Sequence, residues 1–418
     1  MKILESEEIR NSTRHQSEGN TTDLSRYRAK EKKKEKAKAR NRLIIKLVII
    51  IVLVIAAAVV WLNAEKIFEP FRGIASQIDT KTSLDAGFPI ELPASGDYAF
   101  DRMGDGFSLL TDTYLFMYDT DGAQVFALKH GYSNPEKTLS SKRIMLYDKA
   151  GYKFGMYSRT SLLFQHATDD KIVYASVGSD NLAAVVTRSD RYSNILYVYD
   201  DGGNWKYTRK FADESVMQAA FVGDGEHMIV STLSSMGGDI ISNFYKFSIK
   251  NPEGNVWKYT LRSNSLPCEL YADEKNVIAV CDNTVISLGC DDGILNGSYP
   301  YSGKLRDAVI NSDHILLHYE DISANRHIAM VLDPQAEAST LVTINSSTVD
   351  MAMDDSGIYI LDGTKLHIYD FMLTDDTEVP VANEGYSDFV KIGNEIFLMG
   401  YRNIDKTELN SAQSESSD

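Results

Sequence analysis

Two short acidic stretches have the residue types of calcium-binding loops. Asp119 to Gln124 (DTDGAQ) and Asp200 to Asn204 (DDGGN) carry alternating or paired side-chain oxygens, which are the ligands that Ca²⁺ prefers. Neither stretch continues to the bidentate Glu that completes such a loop at its twelfth position. Because Asp and Gly are also the residues that tight turns need, we interpret both stretches as turns and predict no cofactor.

His314 and His318, in the segment HILLH, have the spacing of a metal-binding pair on a helix. On a strand they share a face but lie about 13 Å apart, at ~3.3 Å per residue. That separation is too large for one zinc ion. We therefore interpret them as core or surface histidines and predict no metal site.

The chain has three cysteines, Cys268, Cys281 and Cys290, an odd number that does not form a disulfide framework. If residues 266–281 fold as a hairpin around Asp273–Asn276, Cys268 and Cys281 lie opposite each other. A cross-strand disulfide is then one alternative, and buried reduced thiols are the interpretation that we prefer.

The tetrapeptide WKYT occurs twice, at Trp205–Thr208 and at Trp257–Thr260, and each copy follows a Gly/Asn turn. Alternation along a strand puts Trp and Tyr on one face and Lys and Thr on the other. We predict that the copies begin the outermost strands of consecutive repeats, with the aromatic face packed on the neighbouring repeat. The first copy also fits the end of an Asp-box, Asp200-x-Gly202-x-x-Trp205, which is a structural hairpin motif.

No G-x-S-x-G elbow, phosphate-binding loop or dinucleotide fingerprint follows the N-terminal region. We therefore predict no catalytic residue and no enzymatic activity. A glycosidase needs only two well-placed carboxylates, and the sequence does not locate such a pair among its many acidic residues.

The remaining pattern predicts an all-β fold. Short alternating or apolar runs are separated by Gly, Asn, Asp and Ser, and six Asp-Gly dipeptides mark tight turns. The runs group into units of about 40 residues, the length of a four-stranded propeller blade. Full units begin near residues 100, 132, 172, 216, 266, 305 and 347, and an incomplete unit begins at Tyr386.

A spare strand, GFPIELP at 87–93, has the pattern that the incomplete last unit lacks. Pairing the two would close the ring and remove its open edge. We therefore predict a β-propeller of eight blades, with seven as the alternative. Two β-sandwiches are a competing interpretation, but they need a linker near the middle of this region, and none is visible.

Leu43 to Leu62 is an apolar run of 20 residues with one charge, Lys46, near its start. At about 1.5 Å per residue it is long enough to cross a bilayer as a helix. Residues 26–42 contain ten Lys/Arg, which places the N-terminus in the cytoplasm by the positive-inside rule. A cleaved signal peptide is the competing interpretation, and it is weakened by the long leader and the lack of a cleavage motif.

These patterns give a domain organisation and a location. We predict a disordered basic cytoplasmic tail at 1–42, a transmembrane helix at 43–62, a stalk at 63–86, an extracellular propeller at 87–408 and a disordered tail at 409–418. The protein is then a single-pass plasma-membrane protein with a type II-like orientation.

The charge of the outer part limits its partners. Residues 63–418 hold 29 basic and 52 acidic side chains, so nucleic acid and anionic wall polymers are disfavoured. Cationic peptides, neutral glycans or a basic protein remain compatible.

Three stretches, HGYSNPEKTLSSKRIMLYDKAGYKF, LAAVVTRSDRYSNILYVY and VGDGEHMIVSTLSSMGGDIISNFYKF, resemble a family of membrane-anchored proteins of anaerobic Gram-positive bacteria, domain of unknown function 5711. The resemblance implies a propeller outside the plasma membrane and no assigned activity. We expect a binding or scaffolding module for an unidentified protein or cell-wall partner. The alternative is a carbohydrate-active hydrolase or lyase with carboxylates in the propeller funnel.

Overall fold

The described part of the chain folds into a closed ring of blades. Our computed structural model describes residues 87–92, 98–251, 253–374, 376–381, 383 and 385–409. These residues form 32 β-strands and no α-helix. The strands pair into eight antiparallel sheets of four, which confirms the eight-bladed propeller. The predicted N-terminal tail, transmembrane helix and stalk lie outside the described residues, as does the predicted C-terminal tail apart from Leu409. Within those residues, no helix has the length and apolar character needed to cross a membrane.

Blades 1 to 4 follow one another along the chain. Blade 1 comprises β2 (Ala99–Met103), β3 (Gly106–Leu110), β4 (Tyr114–Asp119) and β5 (Gln124–Lys129); blade 2 comprises β6 (Pro135–Leu139), β7 (Ile144–Asp148), β8 (Lys153–Tyr157) and β9 (Leu162–Ala167); blade 3 comprises β10 (Ile172–Val177), β11 (Ala183–Thr187), β12 (Asn194–Tyr199) and β13 (Trp205–Phe211); blade 4 comprises β14 (Ser215–Phe221), β15 (His227–Met236), β16 (Asp239–Ser248) and β17 (Trp257–Leu261).

Blades 5 to 7 repeat this arrangement, and blade 8 borrows one strand from the beginning of the described chain. Blade 5 comprises β18 (Pro267–Ala272), β19 (Asn276–Cys281), β20 (Thr284–Gly289) and β21 (Leu295–Pro300); blade 6 comprises β22 (Lys304–Ile310), β23 (Ile315–Asp321), β24 (Arg326–Leu332) and β25 (Ala338–Ile344); blade 7 comprises β26 (Asp350–Asp354), β27 (Gly357–Leu361), β28 (Lys365–Tyr369) and β29 (Asp376–Pro380); blade 8 comprises β30 (Asp388–Ile392), β31 (Glu395–Met399), β32 (Asn403–Glu408) and β1 (Ile90–Glu91).

The ring closes where the sequence predicts. Ile90 and Glu91 of β1 pair with Ile404 and Asn403 of β32, so the first strand of the fold is the outer strand of the last blade. The paired segment is short, two residues of the predicted 87–93. It covers the edge of β32 that would otherwise be open to pairing with another chain.

The core lies between neighbouring blades. The second strands are strongly apolar, and β11 and β19, for example, are buried along their whole length. One apolar cluster joins Leu196 of blade 3 to Phe221 and Val230 of blade 4. Each sheet thus buries both faces against its neighbours, which explains the continuous apolar runs in the sequence.

The turns fall on two opposite faces of the ring. Turns between the first and second strands, and between the third and fourth, lie on one side, which we call the acidic face. Turns between the second and third strands, together with the connections between blades, lie on the other side, which we call the linker face.

Candidate functional site

The first strand of each blade lies at the inner edge of its sheet, and the first strands of successive blades border the central channel. Although this is the part of a propeller where small apolar residues would pack most simply, each first strand here carries a polar side chain. We call this set the channel ring. Its members are Asp101, Lys137, Tyr174, Gln218, Glu269, Asp307, Asp350 and Asp388.

Four members of the channel ring, on blades 1 to 4, are fixed by bonds between blades. Lys137 pairs with Asp101 of the preceding blade at 2.7 Å. Its ammonium group also donates to the Oγ of Ser108 at 2.8 Å. Tyr174 donates to the carbonyl of Ala219 at 3.3 Å. Gln218 donates to a carbonyl of the next blade, in β18, at 2.6 Å. This side of the ring is therefore cross-linked by its own polar groups.

The other side of the ring is an arc of carboxyl groups, Glu269, Asp307, Asp350 and Asp388, on four consecutive blades. Partial burial raises the pKa of Glu269, and the neighbouring Asp307 raises it further. Burial also raises the pKa of Asp307, although the amide of Ala308 donates to its carboxylate and lowers it. One side of the Glu269 carboxyl group is exposed to the channel. The rise in its pKa therefore comes from the protein atoms that surround its other sides. An added positive charge would stabilise these carboxylates.

Asp350 and Asp388 form a hydrogen-bonded carboxyl pair. Burial raises the pKa of Asp388 most, and the charge of Asp350 adds to this shift. Burial likewise raises the pKa of Asp350, whose carboxylate also accepts the amide of Phe389 at 3.2 Å. Two carboxyl groups that share a hydrogen bond titrate as a pair, and we expect them to hold one proton at neutral pH, with Asp388 as the donor.

A cavity of about 420 Å³ adjoins this pair. It extends along β26 and β30 to a second charged pair, Lys391 with Asp354. The Lys391 ammonium also lies 4.7 Å from the ring centroid of Tyr359. Among the described residues, the cavity therefore has carboxyl groups at one end and a neutralised ion pair at the other. Its ionisable lining comprises Asp101, Arg102, Asp350, Asp354, Tyr359, Asp388 and Lys391.

The two faces that the channel connects differ in charge. The described turns of the acidic face hold 17 Asp/Glu and five Lys/Arg, whereas those of the linker face hold eight Asp/Glu and six Lys/Arg. The negative charge of the propeller is thus concentrated on one side of the ring and in its channel.

A family model describes this chain over residues 87–409, and its description reads family of unknown function (DUF5711). The match covers every described strand, and it spans more than half of the chain. The chain belongs to this family. The match of the family model confirms the family that the sequence motifs indicate. No curated protein matches this family member in sequence.

Solved structures with similar folds are distant in sequence. Sqt1 from Saccharomyces cerevisiae is 10% identical, covers 77% of this chain and 100% of its own, and superposes with a TM-score of 0.56. BamB from Moraxella catarrhalis is 10% identical over 77% of this chain and 96% of its own, with a TM-score of 0.51. The WD40 domain of SCAP from fission yeast is 9% identical over 78% and 97%, also at 0.51. These similarities support the propeller fold and nothing finer.

The two candidate calcium stretches are turns held by their own aspartates. The Asp119 carboxylate accepts the amides of Asp121 at 3.1 Å and Ala123 at 2.9 Å. The Asp200 carboxylate accepts the amide of Asn204 at 2.9 Å and pairs with Lys206 at 2.8 Å. Both carboxylates therefore cap a turn, as we interpret them from sequence.

The two histidines of HILLH have separate surroundings. His314 stacks on Phe371, with 3.9 Å between ring centroids. His318 instead contacts His327 at 2.9 Å between ring nitrogens, and burial lowers its pKa to about 4. The two rings therefore contact different residues.

Cys268 and Cys281 are free thiols, and so is Cys290. The register predicted from the turn holds from Ala272 opposite Val277 to Glu269 opposite Val280, but a bulge at Cys268 then shifts it, so that Pro267 pairs with Cys281. The predicted opposition of the two cysteines is therefore wrong, because a β-bulge adds an unpaired residue to one strand.

The WKYT copies begin β13 and β17, the outer strands of blades 3 and 4, as predicted. Trp257 is buried and donates from Nε1 to the carbonyl of Cys290 in blade 5 at 2.8 Å. Trp205, however, is 62% exposed and donates to its neighbour Thr208. The prediction that both tryptophans pack between blades is wrong for Trp205. A register shift between Val198 and Tyr199 leaves Lys206 unpaired and brings Trp205 opposite Tyr199.

The channel ring is the feature that the sequence analysis missed. The available signal was an acidic residue inside a first strand, as in AFDRM, PCELYA and KLRDAVI. Such charges look like ordinary solvent-facing positions, and they become a set only when the blades close.

Proposed function

We propose that this protein is a single-pass cell-envelope protein and that its extracellular propeller is a binding module. We further propose that its partner is a protein with a basic segment, whose cationic side chain enters the central channel. The observation that carries the proposal is the convergence of five carboxyl groups of the channel ring, against the one ammonium group of Lys137.

The envelope location rests on sequence features alone. The apolar run Leu43–Leu62 and the basic segment 26–42 support an uncleaved anchor with the N-terminus inside. A protease-accessibility experiment on intact cells tests this location. Cleavage of the propeller by added protease, with the basic tail protected, is expected, whereas a protected propeller would contradict it.

The charge distribution favours a cationic ligand. Burial and mutual repulsion raise the pKa values of Glu269, Asp350 and Asp388, so a positive charge among them relieves repulsion and favours their ionised forms. A lysine ammonium is compact enough to enter a cavity of about 420 Å³. The acidic face would draw a basic partner toward the ring at low salt.

Calorimetric titration of residues 77–418 with a tri-lysine peptide tests the proposal. This fragment is a single compact unit of the chain and contains all 32 strands. We expect binding that weakens with salt. Replacement of both Asp350 and Asp388 by Asn should weaken it about tenfold or more.

The matched control is Asp313→Asn, which removes one charge from an exposed side chain of the acidic face, in the turn between β22 and β23. Equal losses for the channel and control variants would mean that only the general negative field attracts the peptide. That result, or no binding by the wild-type fragment, would count against a channel site.

A hydrolase or lyase is the second candidate, and it is favoured by the same carboxyl groups. General acid–base chemistry needs a protonated and an ionised carboxyl group, and Asp388 and Asp350 have the environments for these two roles. However, a hydrogen-bonded pair is closer than the roughly 5 Å that separates the carboxyl groups of retaining glycosidases. Turnover of wall polysaccharide by the fragment, lost in Asp388→Asn, would favour this candidate over the binding module.

A further inference from the structure

A second polar cavity, also of about 420 Å³, lies between the outer strands of blades 6 and 7. Elsewhere the contacts between blades are built largely from apolar clusters. Here ionisable side chains form most of the wall from blade 7, and Thr343 and Asn345 line the cavity on the side of blade 6. The ionisable side chains are Asp362, Lys365, His367, Tyr369, Asp376 and Glu378.

Three of these side chains project from one face of the β28–β29 pair. His367 lies opposite Glu378, and Asp376 lies opposite Tyr369, one residue pair further along that face. One ligand atom each from His367, Asp376 and Glu378 can be chosen so that all three lie within 4.8 Å of one another. An imidazole nitrogen and two carboxylate oxygens at this separation can share one divalent ion.

Both nitrogens of the His367 ring face carboxylates. Nδ1 lies 3.1 Å from Asp376, and Nε2 lies 3.4 Å from Asp362. A neutral imidazole has one N–H group, so it can donate to only one of these carboxylates. The other nitrogen then directs a lone pair at an anionic oxygen, and this contact needs a positive charge between the two atoms or on the ring.

Asp362 is the carboxylate suited to orient the ring. It is 6% exposed and accepts the amides of Thr364 at 3.0 Å and Lys365 at 2.8 Å. Asn345 of blade 6 donates to its other oxygen at 3.2 Å. A fixed carboxylate that accepts one ring N–H leaves the opposite nitrogen free for a metal, as in many metal sites. Nδ1 is that nitrogen here, and it faces Asp376.

We propose that His367, Asp376 and Glu378 bind a divalent transition-metal ion such as Zn²⁺ at the rim between blades 6 and 7. The mixed nitrogen and oxygen ligands favour Zn²⁺ over Ca²⁺, which prefers six or more oxygen ligands. Lys365 pairs with Glu378 and competes with the ion. Its side chain is 45% exposed, so it can turn toward solvent when the metal binds.

Titration of metal-free residues 77–418 with ZnCl₂ at neutral pH tests the site. We expect one ion per chain. His367→Ala, Asp376→Asn and Glu378→Gln should each weaken binding by about 10-fold to 100-fold. His227→Ala is the matched control, because His227 contacts a carboxylate, Asp224, through one nitrogen. The control should bind as the wild type does.

Lys365→Ala should tighten zinc binding, because it removes the ammonium group that competes with the ion. A misfolded variant would bind zinc more weakly, so tighter binding cannot result from a loss of folding. Three results would overturn the site: no zinc binding by the wild type, zinc binding unchanged by His367→Ala, or calcium binding as tight as zinc. These variants lie outside the channel ring, so their failure would not bear on the peptide-binding proposal.

Discussion

Ile90 lies directly opposite Ile404, although the two residues are separated by nearly the whole described chain. Both side chains are buried in one apolar cluster that joins blade 8 to blade 1. Because blade 8 has three consecutive strands and takes its fourth from β1, this contact fastens the two ends of the propeller to each other.

Loss of this closure should destabilise the ring. Ile404 is fully buried, and we expect Ile404→Ala to lower the free energy of unfolding by about 2–5 kcal/mol. Urea denaturation of residues 77–418 measures the change. Leu341→Ala, at a side chain that is 50% exposed on an outer strand, should cost about 0.5 kcal/mol or less. Similar costs for the two variants would show that the closing strand is dispensable.

The Asp350–Asp388 pair should make stability depend on pH. The pKa of Asp388 is raised from 3.8 to about 9 by burial and by Asp350, so the folded state binds the proton more tightly than the unfolded state. Stability from this group is then complete below about pH 4 and is lost as the pH rises toward 9. Asp388→Asn should flatten the profile and stabilise the protein at high pH by roughly 1–3 kcal/mol.

Denaturation measured across this pH range provides the test. Asp313→Asn, at an exposed side chain of the acidic face, should follow the wild-type profile. If Asp388→Asn also follows it, the carboxyl pair does not share a proton in the folded protein.

The two WKYT tryptophans should respond differently to the same substitution. Trp257→Phe removes one of the two hydrogen bonds that the Cys290 carbonyl accepts, the other coming from Lys246. It also removes part of a buried ring, and we expect the two losses together to cost about 1–3 kcal/mol. Trp205→Phe should change stability by about 0.5 kcal/mol or less, because that ring is exposed. Thermal or urea denaturation of both variants checks this. Equal effects would contradict the different burial of the two rings.

The cysteines should behave as free thiols. Cys281 and Cys290 are buried, and burial raises the pKa of both, so both should be slow to react with a thiol reagent in the folded protein. Cys268 is half-buried and should react faster. Mass spectrometry after alkylation should find three modified cysteines in the unfolded, unreduced protein. One modified cysteine would indicate a disulfide.

The sequence alone determined the repeat, its phase and its closure. Alternating and apolar runs report which residues are buried, and Asp-Gly turns report where strands end, so local patterns were sufficient for eight blades. The spare strand at 87–93 was recognisable because an incomplete last blade leaves an unpaired edge. The family resemblance rested on the same local motifs.

Tertiary structure decided which polar residues meet. A bulge of one residue separated Cys268 from Cys281, and another register shift accompanied the exposure of Trp205. Neither shift has a signature in the alternation of residue types. Asp350 and Asp388 are 38 positions apart in sequence and become a pair only because adjacent blades place their first strands side by side. His367, Asp376 and Asp362 meet through strand register and a buried turn. The local sequence pattern determines where each strand lies in the chain. The distances between the charged side chains of different strands are set only when the ring closes.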